Sequence, residues 1–224
     1  LLTHSAFELP FTNRWSQGLS LLPIPIPESI KEISCTAVAE QLIDHANERI
    51  EQFMLSDERV IENFVTCDFH LFDQALSWIR AEHHLIGNRC CELGSGFGVV
   101  AMLAAIQGLE AVGIEIESTL VDQSIALAEE LHIGAEFYCG SFVPRDIPGL
   151  VDLASEMKHV ETDEGDIFQE IGLDLDDFDL FFAFPWPGEN DFFEAVFEAG
   201  AVDGALLLTY RGREGMHLLR KSSE

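Results

Sequence analysis

Cys91-Glu92-Leu93-Gly94-Ser95-Gly96-Phe97-Gly98 is the stretch on which the fold of this chain turns. A short apolar run, Arg89 to Leu93, leads into three glycines at alternate positions, and a small-residue apolar stretch, Val99 to Gln107, follows. The first run reads as a buried strand and the second as a helix, so the glycines sit at a strand-to-helix turn. Glycine there permits positive φ and lets a ligand lie directly against the backbone. The helix that follows directs its free N–H groups toward that ligand. A nicotinamide fingerprint would need glycine three positions after Gly96, where Val99 stands, and does not use an acid such as Glu92. On both counts the turn is not a nicotinamide site.

Downstream of the turn, strand and helix alternate. Ala111 to Ile116, Ala135 to Cys139, Phe178 to Phe184 and Ala205 to Tyr210 read as strands. Leu120 to Leu131 and Phe192 to Ala199 read as helices between them. Strands separated by helices give right-handed crossovers and a doubly wound parallel α/β sheet covered on both faces. Only 14 residues follow Tyr210, enough for a turn and one strand, Met216 to Lys221. The expected sheet is therefore shortened at that edge: five parallel strands and one antiparallel. An open edge of that kind would suit homodimerisation.

Upstream, Val38, Leu42, Ala46, Ile50 and Phe53 recur at helical spacing, and a second helix runs from Phe69 to Glu82 with Asp68 placed to cap it. The chain thus divides into an extended segment over 1–27, rich in alternating prolines, a helical cap over 28–82, and the α/β domain over 83–224. An insertion over about 144–177 is too long for an ordinary connection. Its acidic part, Glu161 to Asp179, carries nine acids and no base, and reads either as a solvated insertion or as a docking surface for a cationic acceptor.

The 224 residues include 40 Asp and Glu against 12 Lys and Arg, a formal charge of −28. Such a surface repels phosphate backbones and anionic headgroups, which argues against nucleic acid and membrane as partners. Five scattered cysteines show no metal-ligand spacing, so no metal site is expected, and they fit the reduced thiols of a cytoplasmic protein.

Acid-x-Gly-x-Gly-x-Gly at this turn resembles the first motif of class I S-adenosylmethionine-dependent methyltransferases, and the likeness extends over about residues 64–210. The second motif is in register: Val112-Gly113-Ile114-Glu115 ends the next strand with a carboxylate 21 residues after Gly94. The resemblance implies a Rossmann-like methyltransferase fold with S-adenosylmethionine as cofactor. It places Glu92 near the methionine moiety, Gly94, Ser95, Gly96 and Gly98 in the cradle, and Glu115 with Ile116 at the ribose. Ser141 and Phe142, after the third strand, fall at the adenine.

The segment after the fourth strand, Phe184-Pro185-Trp186-Pro187, stands where amino-group methylases carry Asn/Asp-Pro-Pro-Tyr. It lacks the polar first residue, which speaks against base methylation. Phe184, Pro185 and Trp186 are the expected acceptor wall, Trp186 being suited to cation–π contact. Phe64 to Phe69, the following helix and the Gly-Ser-Gly and Gly-Ile-Glu motifs are also similar to non-SET protein lysine methyltransferases. A small molecule or a protein, lysine included, is thus the acceptor class. No His/Asp or Cys/His constellation marks a base; Glu189, Asp68 and Tyr210 are the candidates by strand-edge position. A catalytically silent cofactor-binding protein on the same scaffold is the alternative reading.

Overall fold

Along each central strand, successive side chains enter two different apolar layers, and the helices divide between those layers. A computed structural model describes residues 19–56, 65–147, 149–157, 160 and 167–223. Its strands are β1 (Leu19–Ile24), β2 (Arg89–Leu93), β3 (Glu110–Glu115), β4 (Ala135–Cys139), β5 (Leu180–Ala183), β6 (Leu206–Tyr210) and β7 (Met216–Ser223). Its helices are α1 (Ala37–Leu55), α2 (Phe69–Ala81), α3 (Val99–Ile106), α4 (Ser118–Leu131), α5 (Leu150–Ala154), α6 (Ile167–Ile171) and α7 (Asn190–Gly200), with three short 3-10 turns.

One sheet of seven strands runs in the order β1-β7-β6-β5-β2-β3-β4. Strands β2 to β6 are mutually parallel, and β7 is antiparallel to β6. Cys90, Leu180, Phe182, Leu206 and Leu208 face the layer built by α1 to α4. Cys91, Phe181, Ala183 and Leu207 face the layer built by α5 to α7. The chain is thus a doubly wound α/β fold. Progression outward from β2 reverses between β4 and β5, which puts the switch point, where such folds bind ligands, at the carboxyl ends of β2 and β5.

The expected shortening of the sheet is corrected. Strand β1 pairs antiparallel with β7, Leu19 opposite Ser223 through Ile24 opposite Leu218, and supplies the seventh strand from the amino-terminal side. The proline alternation that suggested a merely extended segment is compatible with this place. An edge strand leaves one side of its ladder unpaired, so Pro23 can lack its N–H without loss. The edge proposed for dimerisation is therefore covered by β1; residues 1–18 lie outside the described residues.

The amino-terminal helices share an apolar layer with the sheet: Leu42, Ile43, Ala46, Phe72, Leu76 and Ile79 are buried against α3 and the strands. Asp68 caps α2, accepting from the Leu71 N–H at 3.0 Å. The acidic segment is not simply solvated where it is described. Ile167, Phe168, Leu175 and Phe178 are buried and anchor it to the second layer. Among the described residues, the one cluster of potential metal ligands is Asp174, Asp176 and Asp177, exposed carboxylates with oxygens within 4.8 Å of one another. No helix among the described residues is long and apolar enough to cross a membrane.

Candidate cofactor and acceptor site

Parallel register aligns the strand ends in one row. Thr209 is opposite Ala183, Ala183 opposite Leu93, Leu93 opposite Ile114, and Ile114 opposite Tyr138. One residue further on, the row reads Tyr210, Phe184, Gly94, Glu115, Cys139. The glycine turn is therefore flanked by Glu115 on one side and by Phe184 on the other. A cavity of about 330 Å³ opens over this row, at the lower end of the range for small-molecule sites, roughly 300–1,000 Å³.

Glu92, Gly94, Ser95, Gly96, Glu115, Ile116, Ser141, Phe142, Phe184, Trp186 and Glu189 all line this cavity. Gly98, Pro185, Asp68 and Tyr210 do not. Pro185 is buried, and Asp68 is engaged in capping α2. Tyr210 sits beside the site, its ring edge-on to Phe184 at 4.9 Å. Burial, then the Asp68 charge, pushes its hydroxyl above the usual range, so it keeps its proton at neutral pH.

Long-range hydrogen bonds shape the glycine turn. The Gly94 and Ser95 N–H groups both donate to the Ile114 carbonyl at 2.9 Å. The Gly96 N–H donates to Glu115 Oε2 at 2.7 Å, and the buried Ser124 hydroxyl on α4 donates to the Gly96 carbonyl at 2.9 Å. Gly94 has φ +73°, and a Cβ there would meet no protein atom within 4 Å. Gly98 also has positive φ, but its Cβ would lie 2.2 Å from the Phe137 ring. The first glycine borders open cavity; the last makes room for a buried phenylalanine.

Two buried carboxyls stand at the floor. Glu92 accepts from the Ala101 N–H in the first turn of α3 at 2.9 Å. Burial raises its pKa well above the ordinary carboxyl value, the Ala101 N–H opposes this, and the Glu115 charge adds to it. Glu115 is raised by burial too, against the pull of the Glu117, Gly96 and Ile116 N–H groups. It accepts from the Glu117 N–H at 3.0 Å. Both groups hold the loop as well as face the cavity, so Glu115 is more than a strand-end acid.

An S-adenosyl group fits what is present. The Ser95 hydroxyl is buried with no hydrogen-bond partner among the described residues, and such a group calls for one. The free space over Gly94 and the carboxylates along the wall suit a ligand that is positively charged at one end. Phe142 stacks on Phe193 at 5.4 Å, giving a flat apolar surface on the β4 side.

The sequence reading missed several wall residues. Thr66, Cys67 and Phe69 come from the chain entering α2, inside the upstream stretch the resemblance had marked. Cys67 is a thiol kept protonated by burial and by the Glu92 and Asp68 charges. Glu117, two residues beyond Glu115, and Phe193 on α7 also line it. Phe193 was legible only as part of an apolar helix face.

No protein-family model matches the chain, and no curated protein matches it. Solved structures are similar in fold. An RNA methyltransferase from Salinibacter ruber in complex with S-adenosyl-L-homocysteine is 18% identical over 71% of this chain and 93% of its own, with a TM-score of 0.47. A SAM-dependent methyltransferase from Thiobacillus denitrificans, also with S-adenosyl-L-homocysteine, is 17% identical over 72% of this chain and 54% of its own, at 0.41. An S-adenosylmethionine-dependent methyltransferase from Clostridium acetobutylicum is 8% identical over 73% of this chain and 56% of its own, at 0.45. The present chain thus spans nearly all of the first and little more than half of the other two. Similarities at this level assign no activity to it.

Proposed function

We propose that the cavity binds S-adenosylmethionine and that the protein transfers its methyl group to an acceptor, a small molecule or a protein side chain such as lysine. The observation that supports this most is the row of strand ends, in which the open glycine turn lies between Glu115 and Phe184 at the floor of one cavity. In this reading Glu115 and Ile116 hold the ribose, Ser141 and Phe142 the adenine, and Glu92 with Gly94 to Gly96 the methionine end. The bound group supplies a methyl already activated by sulfonium charge.

What remains for the chain is alignment, exclusion of water and the handling of one proton. Phe184 and the half-buried Trp186 form the acceptor wall. Of the three base candidates, Glu189 alone lines the cavity. Incubation with methyl-labelled cofactor and a cell extract, followed by separation of protein from small molecules, tests the proposal. Label should pass to one of the two fractions. Tight cofactor binding with no label transferred to any acceptor would overturn it.

A further inference from the structure

Glu92 and Glu115 both line the cavity, yet the protein holds them differently. Three backbone N–H groups, those of Glu117, Gly96 and Ile116, pull Glu115 toward its charged form. Glu92, 5% exposed, accepts from one, that of Ala101. Side chains alternate along β2, so Glu92 shares with Cys90 the face covered by α1 to α4. Phe182 of β5 stands opposite it on one side and Gly113 of β3 on the other. Ser95 lies over Gly113, its Cβ 2.9 Å from where a Cβ there would be. The Ser95 hydroxyl, partnerless among the described residues, points independently to a polar ligand above this face.

Among the described residues, the titratable groups facing Glu92 come from three places. Glu115 is on β3, Cys67 with its neighbour Asp68 is on the chain entering α2, and Cys90 and Cys91 are on β2 itself. Strand β5 and helix α3 carry no titratable side chain. None of the named groups is a cation, and a negative neighbour opposes ionisation as burial does. The free protein therefore holds the Glu92 carboxyl neutral well above the ordinary carboxyl range. S-adenosylmethionine and S-adenosylhomocysteine share adenosine, carboxylate and ammonium. They differ in one methyl and in the positive charge on sulfur. Glu115, at the uncharged ribose, meets the same groups in both ligands. Glu92, at the methionine end, meets the charge that distinguishes them, and a cation against a buried carboxyl favours its charged form.

We infer that binding of S-adenosylmethionine draws off Glu92 a proton that S-adenosylhomocysteine leaves in place, so that preference for the cofactor over its demethylated product rises with pH. The inference rests on the methyl-transfer reading above. On binding, the carboxyl O–H breaks, its proton goes to water, and the carboxylate stays beside the sulfonium. On methyl transfer the C–S electron pair returns to sulfur, the charge is lost, and Glu92 takes one proton back from solvent. The preference is smallest at low pH, where Glu92 is protonated in both complexes. It grows while the S-adenosylmethionine complex alone is ionised, and levels off once the other complex ionises too. Product thus competes best under acid conditions.

Calorimetry on the full chain, in two buffers of different ionisation enthalpy from pH 5 to 8, counts the protons each ligand releases. S-adenosylmethionine should release about half a proton or more beyond S-adenosylhomocysteine within that range. The ratio of their affinities should rise about fivefold or more across it, the ceiling for one proton being about tenfold per pH unit. Glu92→Gln keeps an acceptor for the Ala101 N–H and should bind both ligands with a ratio that no longer changes with pH. Glu115→Gln, which removes the other buried carboxyl, should weaken both ligands and keep the difference. Equal proton release by the two ligands in the parent protein overturns the inference and spares the methyl-transfer reading. So does a difference that survives in Glu92→Gln, or one that vanishes in Glu115→Gln. Failure of both ligands to bind the parent protein removes both.

Discussion

Two glycines four residues apart in the same motif, Gly94 and Gly98, should respond differently to the same substitution. Both have positive φ, +73° and +68°, so alanine at either costs about 1–2 kcal/mol of backbone strain. At Gly94 that is the whole cost to the fold, because the new Cβ meets nothing within 4 Å. At Gly98 the Cβ lies 2.2 and 2.6 Å from two Phe137 ring atoms, well inside carbon contact distance. The ring cannot retreat toward β3, since it already packs against Gly113, where a Cβ would be 2.7 Å away. Overpacking of this kind adds about 1–3 kcal/mol, for a total of about 2–5 kcal/mol. In a chain of this size 1 kcal/mol is worth roughly 2–4 °C of Tm. Thermal melting should therefore fall by about 2–8 °C for Gly94→Ala and about 4–20 °C for Gly98→Ala. Titration with S-adenosylhomocysteine should show the reverse order. Gly94→Ala loses at least about tenfold in affinity, or 1.4 kcal/mol, because its methyl enters the ligand's space. Gly98→Ala, measured where it is folded, stays within a few-fold of the parent. Parent-like affinity in Gly94→Ala, or equal destabilisation by the two changes, would refute the assignment of open space to one and packing to the other.

Three further outcomes are expected. Trp186→Ala should leave S-adenosylhomocysteine affinity nearly intact and reduce methyl transfer tenfold or more. Its melting loss should fall well short of the ~3–5 kcal/mol of a fully buried tryptophan, and a loss that large together with lost binding would make it a core residue. Glu115→Ala should weaken cofactor binding by ~1.5–3 kcal/mol and, because the Gly96 N–H loses its acceptor, also destabilise the unliganded fold by ~1–3 kcal/mol. An unchanged denaturation midpoint would contradict the loop-holding role. Burial raises the folded pKa of Glu92, so its contribution to stability is full at low pH and is lost as pH rises through that raised value, above the ordinary carboxyl range. Glu92→Gln, neutral throughout, should therefore gain melting temperature relative to the parent as pH goes from 5 to 8, and a pH-independent difference would refute the shift.

Local spacing explains why the parallel core and the strand-to-helix glycine turn were readable in advance. The Gly94-x-Gly96 turn and Glu115 declare themselves through residues adjacent in the chain or one crossover apart. Strand β1 did not, because its partner β7 lies some 200 residues away and its prolines argue against regular structure until the edge position is known. The different duties of Gly94 and Gly98 were equally hidden. Nothing within the motif shows that Phe137, on another strand, occupies the space over one and leaves the other bare. The bonds of Glu92 to Ala101 and of Ser124 to Gly96 are tertiary as well, so a carboxylate read as facing only a ligand also holds the turn that would receive it.

The claim at the centre of this account is that the cavity over β2, β3 and β5 is an S-adenosyl site. Calorimetric titration of the full chain with S-adenosylhomocysteine, and in parallel with NAD, measures it most directly. Saturable one-to-one binding of S-adenosylhomocysteine and no heat with NAD is the predicted result; binding of NAD with no response to S-adenosylhomocysteine would contradict it.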